Sequence, residues 1–341
     1  MGISSSSVTQ TGIATLATLA AVVAACGGDD GGNSTVVQDD RLLVVTTLSP
    51  IRNIIENVGG DRVQVVGLVP EGTNSHTFEP APSAARLLAA ADLIIINGLN
   101  LELPTLELAQ SNSDAAIVLL ADSVITPDDY VFDFSFPEGD GDPNPHAWTD
   151  PSFAIRYAEV VRGALVNTDP DGEFYFDANL ARFRQRANDL DARFTEATRT
   201  IPESNRGLLT YHDSFPYFAP RYGFEIIGAI EPSDFSEPSP QELGQLIEQI
   251  RDLGLPAIFG SEVFPSSVLD RISEEAGAVQ IATLRDDDLP GEPGGPNNTY
   301  FAMMAENVRT IVESLGGDAA ALDGVDVSNT WIPFGEFDAT P

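Results

Sequence analysis

The sequence predicts an α/β protein with two lobes, each a mostly parallel sheet flanked by helices, joined by one long rigid helix. Short β-branched runs alternate with helical patterns in both halves of the chain, which is typical of parallel sheets covered on both faces. Between the halves, residues 172–200 are nearly free of glycine and proline and carry apolar residues at helical steps. The length of 341 residues also exceeds the usual size of one compact domain.

The first 40 residues have the composition of a targeting segment followed by a tether. An alanine-rich apolar run covers 13–25 and is too short to span a bilayer. Small residues lead from it into Cys26, and this order resembles a bacterial lipoprotein signal. The resemblance implies a signal peptide at 1–25, lipid on the Cys26 thiol and a flexible tether at 26–40. An ordinary secretory signal with a free cysteine is the alternative, and residues 1–12 lack the usual basic residues.

We assign residues 41–168 to an N-terminal α/β lobe. Its predicted strands are 42–47, 63–69, 93–96 and 116–121, and its predicted helices are about 50–58, 83–91, 102–109 and 151–166. The last of these helices has the clearest start, because Asp150 is a good N-cap and Pro151 suits the first helical position. Residues 124–145 are rich in Pro, Gly and Asp and are predicted to form an extended surface loop.

Residues 169–203 are predicted to form the linking helix, and 204–318 a second α/β lobe. The helix would be on the order of 40 Å long. Its apolar stripe consists of Phe176, Leu180, Phe183, Ala187, Leu190 and Phe194. In the C-terminal lobe the predicted strands are 207–211, 224–230, 257–259 and 279–284, and the predicted helices are about 239–253, 265–276 and 298–315. We interpret 319–341 as a C-terminal tail.

Charge and cysteine content exclude several classes of function. The formal net charge is −35 and argues against nucleic acid as a partner. All 17 basic residues are arginine, and the acidic surface is most simply explained by solubility. With one cysteine the chain has no intrachain disulfide and no thiolate metal cluster.

The chain has only three histidines, His76, His146 and His212, and all lie in predicted loops. His76 and His212 each follow a predicted strand, at the edge where ligands bind in open α/β sheets. Any one of them alone is as readily explained by packing or capping. If they converge between the lobes, neutral imidazoles suit a first-row transition metal, and a fourth ligand would be a carboxylate. Residues 286–288, all aspartate, follow the strand that ends at Leu284, although the histidine spacing is not a metal motif.

Several motifs between Leu42 and Leu315 can be read together. They are His76-Thr77-Phe78-Glu79-Pro80, Asn97-Gly98-Leu99 with Glu102, Pro145-His146-Ala147-Trp148-Thr149-Asp150-Pro151, His212-Asp213-Ser214-Phe215, Glu237-Pro238-Ser239, Ile258-Phe259 with Glu262, and Leu289 through Thr299-Tyr300. In content and order they resemble the zinc/manganese solute-binding proteins of ABC transporters, a family of two-lobed metal-binding lipoproteins with a helical backbone.

The resemblance implies that His76, His146 and His212 are metal ligands. It implies a fourth ligand from the aspartate run, best matched by Asp287, with Asp286 and Asp288 as alternatives. Members tuned for zinc often carry a histidine-rich loop before the second ligand, and here residues 127–142 are acidic without histidine. Members tuned for manganese often have glutamate in place of the third histidine. Three nitrogens and one carboxylate favour Zn²⁺ over Mn²⁺.

The implied function is capture of a divalent metal ion outside the cytoplasm and its delivery to an ABC permease and its ATPase. We expect a monomer, lipid-anchored to the cell membrane, which is not an enzyme and does not bind nucleic acid. Two alternatives stay open at this point: a metal-dependent hydrolase with a three-histidine site and a surface adhesin on the same scaffold. A two-lobed siderophore binder would not need three convergent histidines. Imidazole ligands must lose protons to bind metal, so affinity should fall as pH drops through about 6.5.

Overall fold

The computed structural model describes residues 41–231, 238–264, 267–276 and 280–337. It contains two lobes, each built on a four-stranded sheet in which every strand pair is parallel. The predicted signal peptide 1–25, Cys26 and the tether 26–40 lie outside the described residues. Within the described part of the chain, each helix is too short or too polar to cross a lipid bilayer.

The N-terminal lobe follows the predicted alternation of strands and helices. Its sheet has the strand order β2-β1-β3-β4. The strands and helices are β1 (Leu42–Thr46), α1 (Ser49–Gly59), β2 (Val63–Gly67), α2 (Ala84–Ala90), β3 (Leu93–Ile96), α3 (Leu103–Asn112), β4 (Ala116–Leu119), α4 (Leu120–Val124) and α5 (Pro151–Thr168).

Alternate residues of the central strands are buried against different helices. Val44 belongs to the core shared with α1 and α5, whereas Val45 belongs to a second cluster with Leu88 of α2 and Ala109 of α3. Because successive side chains of a strand point to opposite faces, both faces of the sheet are covered. The start of α5 is as predicted: Asp150 accepts a hydrogen bond from the Ser152 amide at 2.7 Å.

A single helix, α6 (Glu173–Thr198), joins the lobes. Its 26 residues correspond to about 39 Å at 1.5 Å per residue. Its buried stripe contains the six apolar residues predicted from the sequence, with Tyr175, Asn179, Ala197 and Thr198 in addition.

The C-terminal lobe repeats the architecture, with the strand order β6-β5-β7-β8. The short helices α4 and α7 were not predicted. The strands and helices are β5 (Gly207–Thr210), α7 (Phe218–Tyr222), β6 (Glu225–Ala229), α8 (Pro240–Leu253), β7 (Ala257–Ser261), α9 (Ser267–Ala276), β8 (Gln280–Leu284) and α10 (Tyr300–Ser314).

The two lobes share one continuous hydrophobic core along α6. That core includes Ile51 of α1, Phe183 of α6 and Phe259 of β7. The Phe183 ring also lies 5.0 Å from the ring of Phe301 on α10. Both lobes therefore pack against the same helix face, so large hinge movements would break this core.

The C-terminal strap, which we define as residues 318–337, packs back onto the first helix and onto α6. The Asn57 carboxamide oxygen accepts hydrogen bonds from the amide and the hydroxyl of Thr330, and Asn329 accepts bonds from Asn53 and Asn57. The Tyr175 hydroxyl donates to the Ile332 carbonyl at 2.5 Å. The segment interpreted from sequence as a tail is therefore tied to the N-terminal lobe.

Candidate metal centre

Three loops at the carboxyl ends of the strands carry the three histidines. His76 lies in a 3₁₀ turn (Ser75–Thr77) after β2, where the Asn74 side chain accepts a hydrogen bond from the His76 amide. His146 precedes the turn that leads into α5, and His212 follows β5 by two residues. Two of the loops belong to the N-terminal lobe and one to the C-terminal lobe.

The structure brings the three imidazoles together at one point between the lobes. The Nε2 atom of His146 lies 3.1 Å from Nε2 of His76 and 2.9 Å from Nε2 of His212. One ligand atom from each ring lies within 4.8 Å of the others. His146 and His212 are buried, and His76 is partly exposed.

The hydrogen bonds of Asn144 determine which nitrogen of His146 faces this point. The side-chain nitrogen of Asn144 donates to the Asp213 backbone carbonyl at 2.6 Å and to the Asp133 carboxylate at 3.1 Å. Its oxygen therefore faces His146, 2.7 Å from Nδ1, so that Nδ1 carries the proton and donates. The Nε2 lone pair of His146 is then directed at the other two rings.

His212 is oriented by a residue that sequence reasoning missed. Its Nδ1 lies 2.6 Å from an oxygen of Glu231, a buried residue at the carboxyl end of β6. The carboxylate of Asp213, the residue after His212, accepts a hydrogen bond from the Ser135 amide instead. Glu79, three residues after His76, is exposed. Glu231 could have been predicted from its position just after β6, because β6 pairs with β5 and His212 lies just after β5.

The aspartate run after β8 supplies the carboxylates of the site. Asp286 places Oδ2 at 3.4 Å from Nε2 of His212 and 3.9 Å from Nε2 of His146. Among the described residues no hydrogen-bond donor reaches this buried oxygen. By contrast, both oxygens of Asp287 accept hydrogen bonds from Ser75, at 3.0 and 2.9 Å. The Asp288 carboxylate accepts from the amide of Gly72.

One carboxylate fixes the backbone of this run. Oε1 of Glu262, which follows β7, accepts hydrogen bonds from the amides of Asp286, Asp287 and Asp288 at 2.9–3.0 Å. From the other side, the indole of Trp148 donates to the Asp286 carbonyl at 2.9 Å. The loop that presents Asp286 is therefore held by both lobes.

The Asn97–Glu102 motif supports the loop that carries His146. Both Asn97 and Glu102 are buried, and the Glu102 carboxylate accepts from the amides of Asn97 and Gly98. Asn97 in turn donates to the Pro145 carbonyl at 3.0 Å. Leu99 and Asn100 have φ angles of 48° and 63°, which non-glycine residues adopt only at a cost. The motif therefore fixes the residue directly before His146.

Burial and neighbouring charges determine the protonation of the site. Burial lowers the pKa of His76 and His146 well below the ordinary value, and the charge of His212 lowers both further. Burial also acts to lower the pKa of His212, but Asp286 and Glu231 outweigh it and raise this pKa to about 10. Burial raises the pKa of Asp286 well above its usual range. At neutral pH His76 and His146 are therefore neutral, and the His212–Asp286 pair holds a proton.

A cavity of about 150 Å³ lies beside His76. It is lined by His76, Leu99, Phe136, Asp142 and Pro145 among others. His76, which is also the most exposed of the three imidazoles, is the one that borders this cavity.

The positions and types of these side chains suit the binding of a divalent transition metal ion. Two nitrogens bound to one ion at about 2.0–2.1 Å in tetrahedral geometry are about 3.3 Å apart, so the rings need to separate by only a few tenths of an ångström. Nε2 of His146 faces the Nε2 atoms of both other rings, and within the described residues no donor hydrogen-bonds to Oδ2 of Asp286. A cation at this point would be bound by the lone pairs of all these atoms. The fold and the site thus define a two-lobed solute-binding protein with a metal-binding cleft.

Comparison with known proteins identifies the family. The model of the family described as zinc-uptake complex component A, periplasmic, matches residues 44–314. The chain belongs to this family of metal ABC transporter substrate-binding proteins, which act outside the cytoplasm. Its members are solute-binding proteins rather than enzymes, so the hydrolase alternative is excluded.

Similar proteins cover most of the chain. The manganese-binding lipoprotein MntA of Halalkalibacterium halodurans is 32% identical over 270 residues, which are 79% of this chain and 87% of that protein. The iron-binding protein YfeA of Yersinia pestis is 31% identical over 273 residues, 80% of this chain and 85% of that protein. The structure of the periplasmic zinc-binding protein TroA from Treponema pallidum matches with a TM-score of 0.74 at 28% identity, covering 81% of this chain and 99% of that chain.

Proposed function

We propose that the protein captures Zn²⁺, with Mn²⁺ as the alternative, and delivers the ion to an ABC permease and its ATPase. The ion is bound by Nε2 of His76, His146 and His212 and by a carboxylate of the aspartate run. We assign that carboxylate to Asp286, and the sequence-based choice, Asp287, is the alternative.

The observation that carries the proposal is the convergence of three Nε2 atoms beside Oδ2 of Asp286, to which no donor of the described part of the chain bonds. The imidazole separations of 2.9 and 3.1 Å and the Asp286 Oδ2 distance of 3.4 Å from His212 involve side chains from both lobes. Uncompensated burial of such groups is costly, and ion binding offsets the cost.

Donor chemistry supports zinc as the first choice of cargo. Three imidazole nitrogens and one carboxylate oxygen form the kind of four-coordinate set that Zn²⁺ accepts readily, whereas Mn²⁺ prefers more oxygen donors. The relatives are named for manganese, iron or zinc, so their names do not decide between these ions. The ligand types in this chain therefore carry the choice.

Capture and release require movement of loops rather than of whole lobes. The shared core along α6 and the C-terminal strap hold the lobes together. The cavity beside His76 leaves that imidazole the most accessible of the three ligands. We propose that the ion enters and leaves on the His76 side, and no covalent bond is formed or broken in the process.

We propose further that the mature protein is a monomer held at the membrane by lipid on Cys26. The small residues before Cys26 and the Gly- and Asp-rich segment at 26–40 support this anchor. The domain division proposed from sequence, with lobes at 41–168 and 204–318, is supported by the membership of the strands in two separate sheets.

Metal analysis and calorimetric titration test the proposal. Protein purified without chelators or a histidine tag should contain bound metal, and the metal-free protein should bind one Zn²⁺ ion. His146→Ala should weaken zinc binding at least a hundredfold, because it removes the central ligand. Glu79→Gln, a change at an exposed residue near His76, is the control and should bind as the parent does. Zinc binding by His146→Ala at parental affinity would refute the site.

A further inference from the structure

Glu231 lies beside His212 because the parallel pairing of β5 and β6 continues past the ends of the two strands. The Ile230 amide donates to the Thr210 carbonyl at 3.0 Å, and the Glu231 amide donates to the Tyr211 carbonyl at 2.9 Å. Continued by one residue, this register puts Glu231 next to His212. The backbone therefore determines the contact between the carboxylate and the imidazole.

The contact is short, buried and charged. Oε2 of Glu231 lies 2.6 Å from Nδ1 of His212, and the side chains of Glu231 and His212 are 1% and 2% exposed. The corresponding ring nitrogen of His146 bonds instead to the neutral carboxamide of Asn144, at 2.7 Å. Two ligands of the same type thus differ in the charge of the group that orients them.

We infer that Glu231 is a positioning residue that strengthens His212 as a metal ligand. By accepting the Nδ1 proton it fixes the tautomer that leaves the Nε2 lone pair directed at the ion. Its negative charge also increases the electron density that Nε2 donates, as outer carboxylates do in other histidine metal sites. The inference deepens the proposed function and rests on it.

The side chain of Glu231 can be changed without removing its backbone contacts. The Glu231 amide bonds to Tyr211, and its carbonyl accepts from the Ser135 hydroxyl of the N-terminal lobe at 3.0 Å. Glu231→Gln keeps the size of the side chain and an oxygen that can accept the Nδ1 proton, but it removes the charge. Glu225→Gln is the matched control, because it removes a charge from an exposed position of the same strand.

The first experiment is competition for Zn²⁺ against a chromophoric chelator, with thermal unfolding of the metal-free proteins in parallel. Glu231→Gln should unfold at the parental temperature and bind zinc about 10–100-fold more weakly, whereas Glu225→Gln should match the parent. Parental zinc affinity in Glu231→Gln would overturn the inference. If the parent itself bound neither Zn²⁺ nor Mn²⁺, the proposed function would fail instead.

The second experiment reads the hydrogen bond itself, in the parent as well as in the variant. With ¹⁵N-labelled histidine the spectrum contains only three imidazoles, since the chain has three histidines. In the zinc-loaded parent the His212 Nδ1 proton should be strongly deshielded, and it should move upfield in Glu231→Gln. Coordination of zinc through Nδ1 of His212, or an Nδ1 without a proton, would contradict the inference even if the variant failed to fold.

Discussion

Replacing the aspartates of the run 286–288 one at a time identifies which of them binds the metal ion. Asp286→Asn replaces the carboxylate whose Oδ2 lies 3.4 Å from Nε2 of His212 with a neutral amide of the same shape. Asp287→Asn makes the same chemical change one residue further on, where Ser75 occupies both oxygens. We expect Asp286→Asn to weaken zinc binding strongly and Asp287→Asn to weaken it slightly.

The expected magnitude follows from the number of ligands. Structural zinc sites have apparent binding free energies of about 10–16 kcal/mol, which is about 2.5–4 kcal/mol for each of four ligands. Loss of one ligand therefore corresponds to about a 10²–10³-fold weaker affinity. The Asn oxygen remains a weak donor, so Asp286→Asn should fall near the lower limit. Asp287→Asn keeps an acceptor for one of the two hydrogen bonds from Ser75, so its zinc affinity should be weaker than that of the parent by less than about tenfold.

Competition titration with a zinc chelator measures both variants against the parent at one pH. Thermal unfolding of the metal-free proteins provides the control for folding. If Asp287→Asn lost more affinity than Asp286→Asn, Asp287 would be the ligand and the assignment of Asp286 from its free oxygen would be incorrect.

Three further predictions concern protons, packing and the helix start. The His212–Asp286 pair holds a proton at neutral pH because the pKa of His212 is raised to about 10. Zinc binding should therefore release about one proton, and the zinc affinity should rise about tenfold per pH unit between pH 6 and 8. Calorimetric titration in buffers of different ionisation enthalpy measures the number of protons released, and a value of zero would contradict the prediction. Phe183→Ala should lower the free energy of unfolding, measured by denaturant titration, by about 3–5 kcal/mol, because the Phe183 ring is fully buried beside Phe301. A decrease of less than about 1 kcal/mol would argue against a core shared by the two lobes. Asp150→Ala should lower the free energy of unfolding by about 0.5–2 kcal/mol in the same assay, because it removes the N-cap of α5. An unchanged free energy of unfolding would show that the cap is dispensable.

Periodicity and strand–turn composition were sufficient to predict most of the fold. The buried stripe of α6 was predicted because a helix without glycine or proline shows its apolar period directly. The short helices α4 and α7 have only five residues each, which is too few for such a period to be visible. The packing of the C-terminal strap was not predicted, since its contacts with α1 join residues more than 270 positions apart.

The candidate site was predictable where residue type was decisive and less so where geometry was. The three histidines stood out because the chain has no others. The choice among three consecutive aspartates depends on backbone direction, which Glu262 sets through three amide hydrogen bonds. Glu231 was missed because its partnership with His212 requires the order of the strands in the sheet, and that order is not visible in one sequence.

The link between the C-terminal strap and α1 has a consequence for how the chain is made. Asn53 and Asn57 are synthesised more than 270 residues before Asn329 and Thr330. The buried contacts of the first helix with the strap therefore cannot form until residue 330 has left the ribosome.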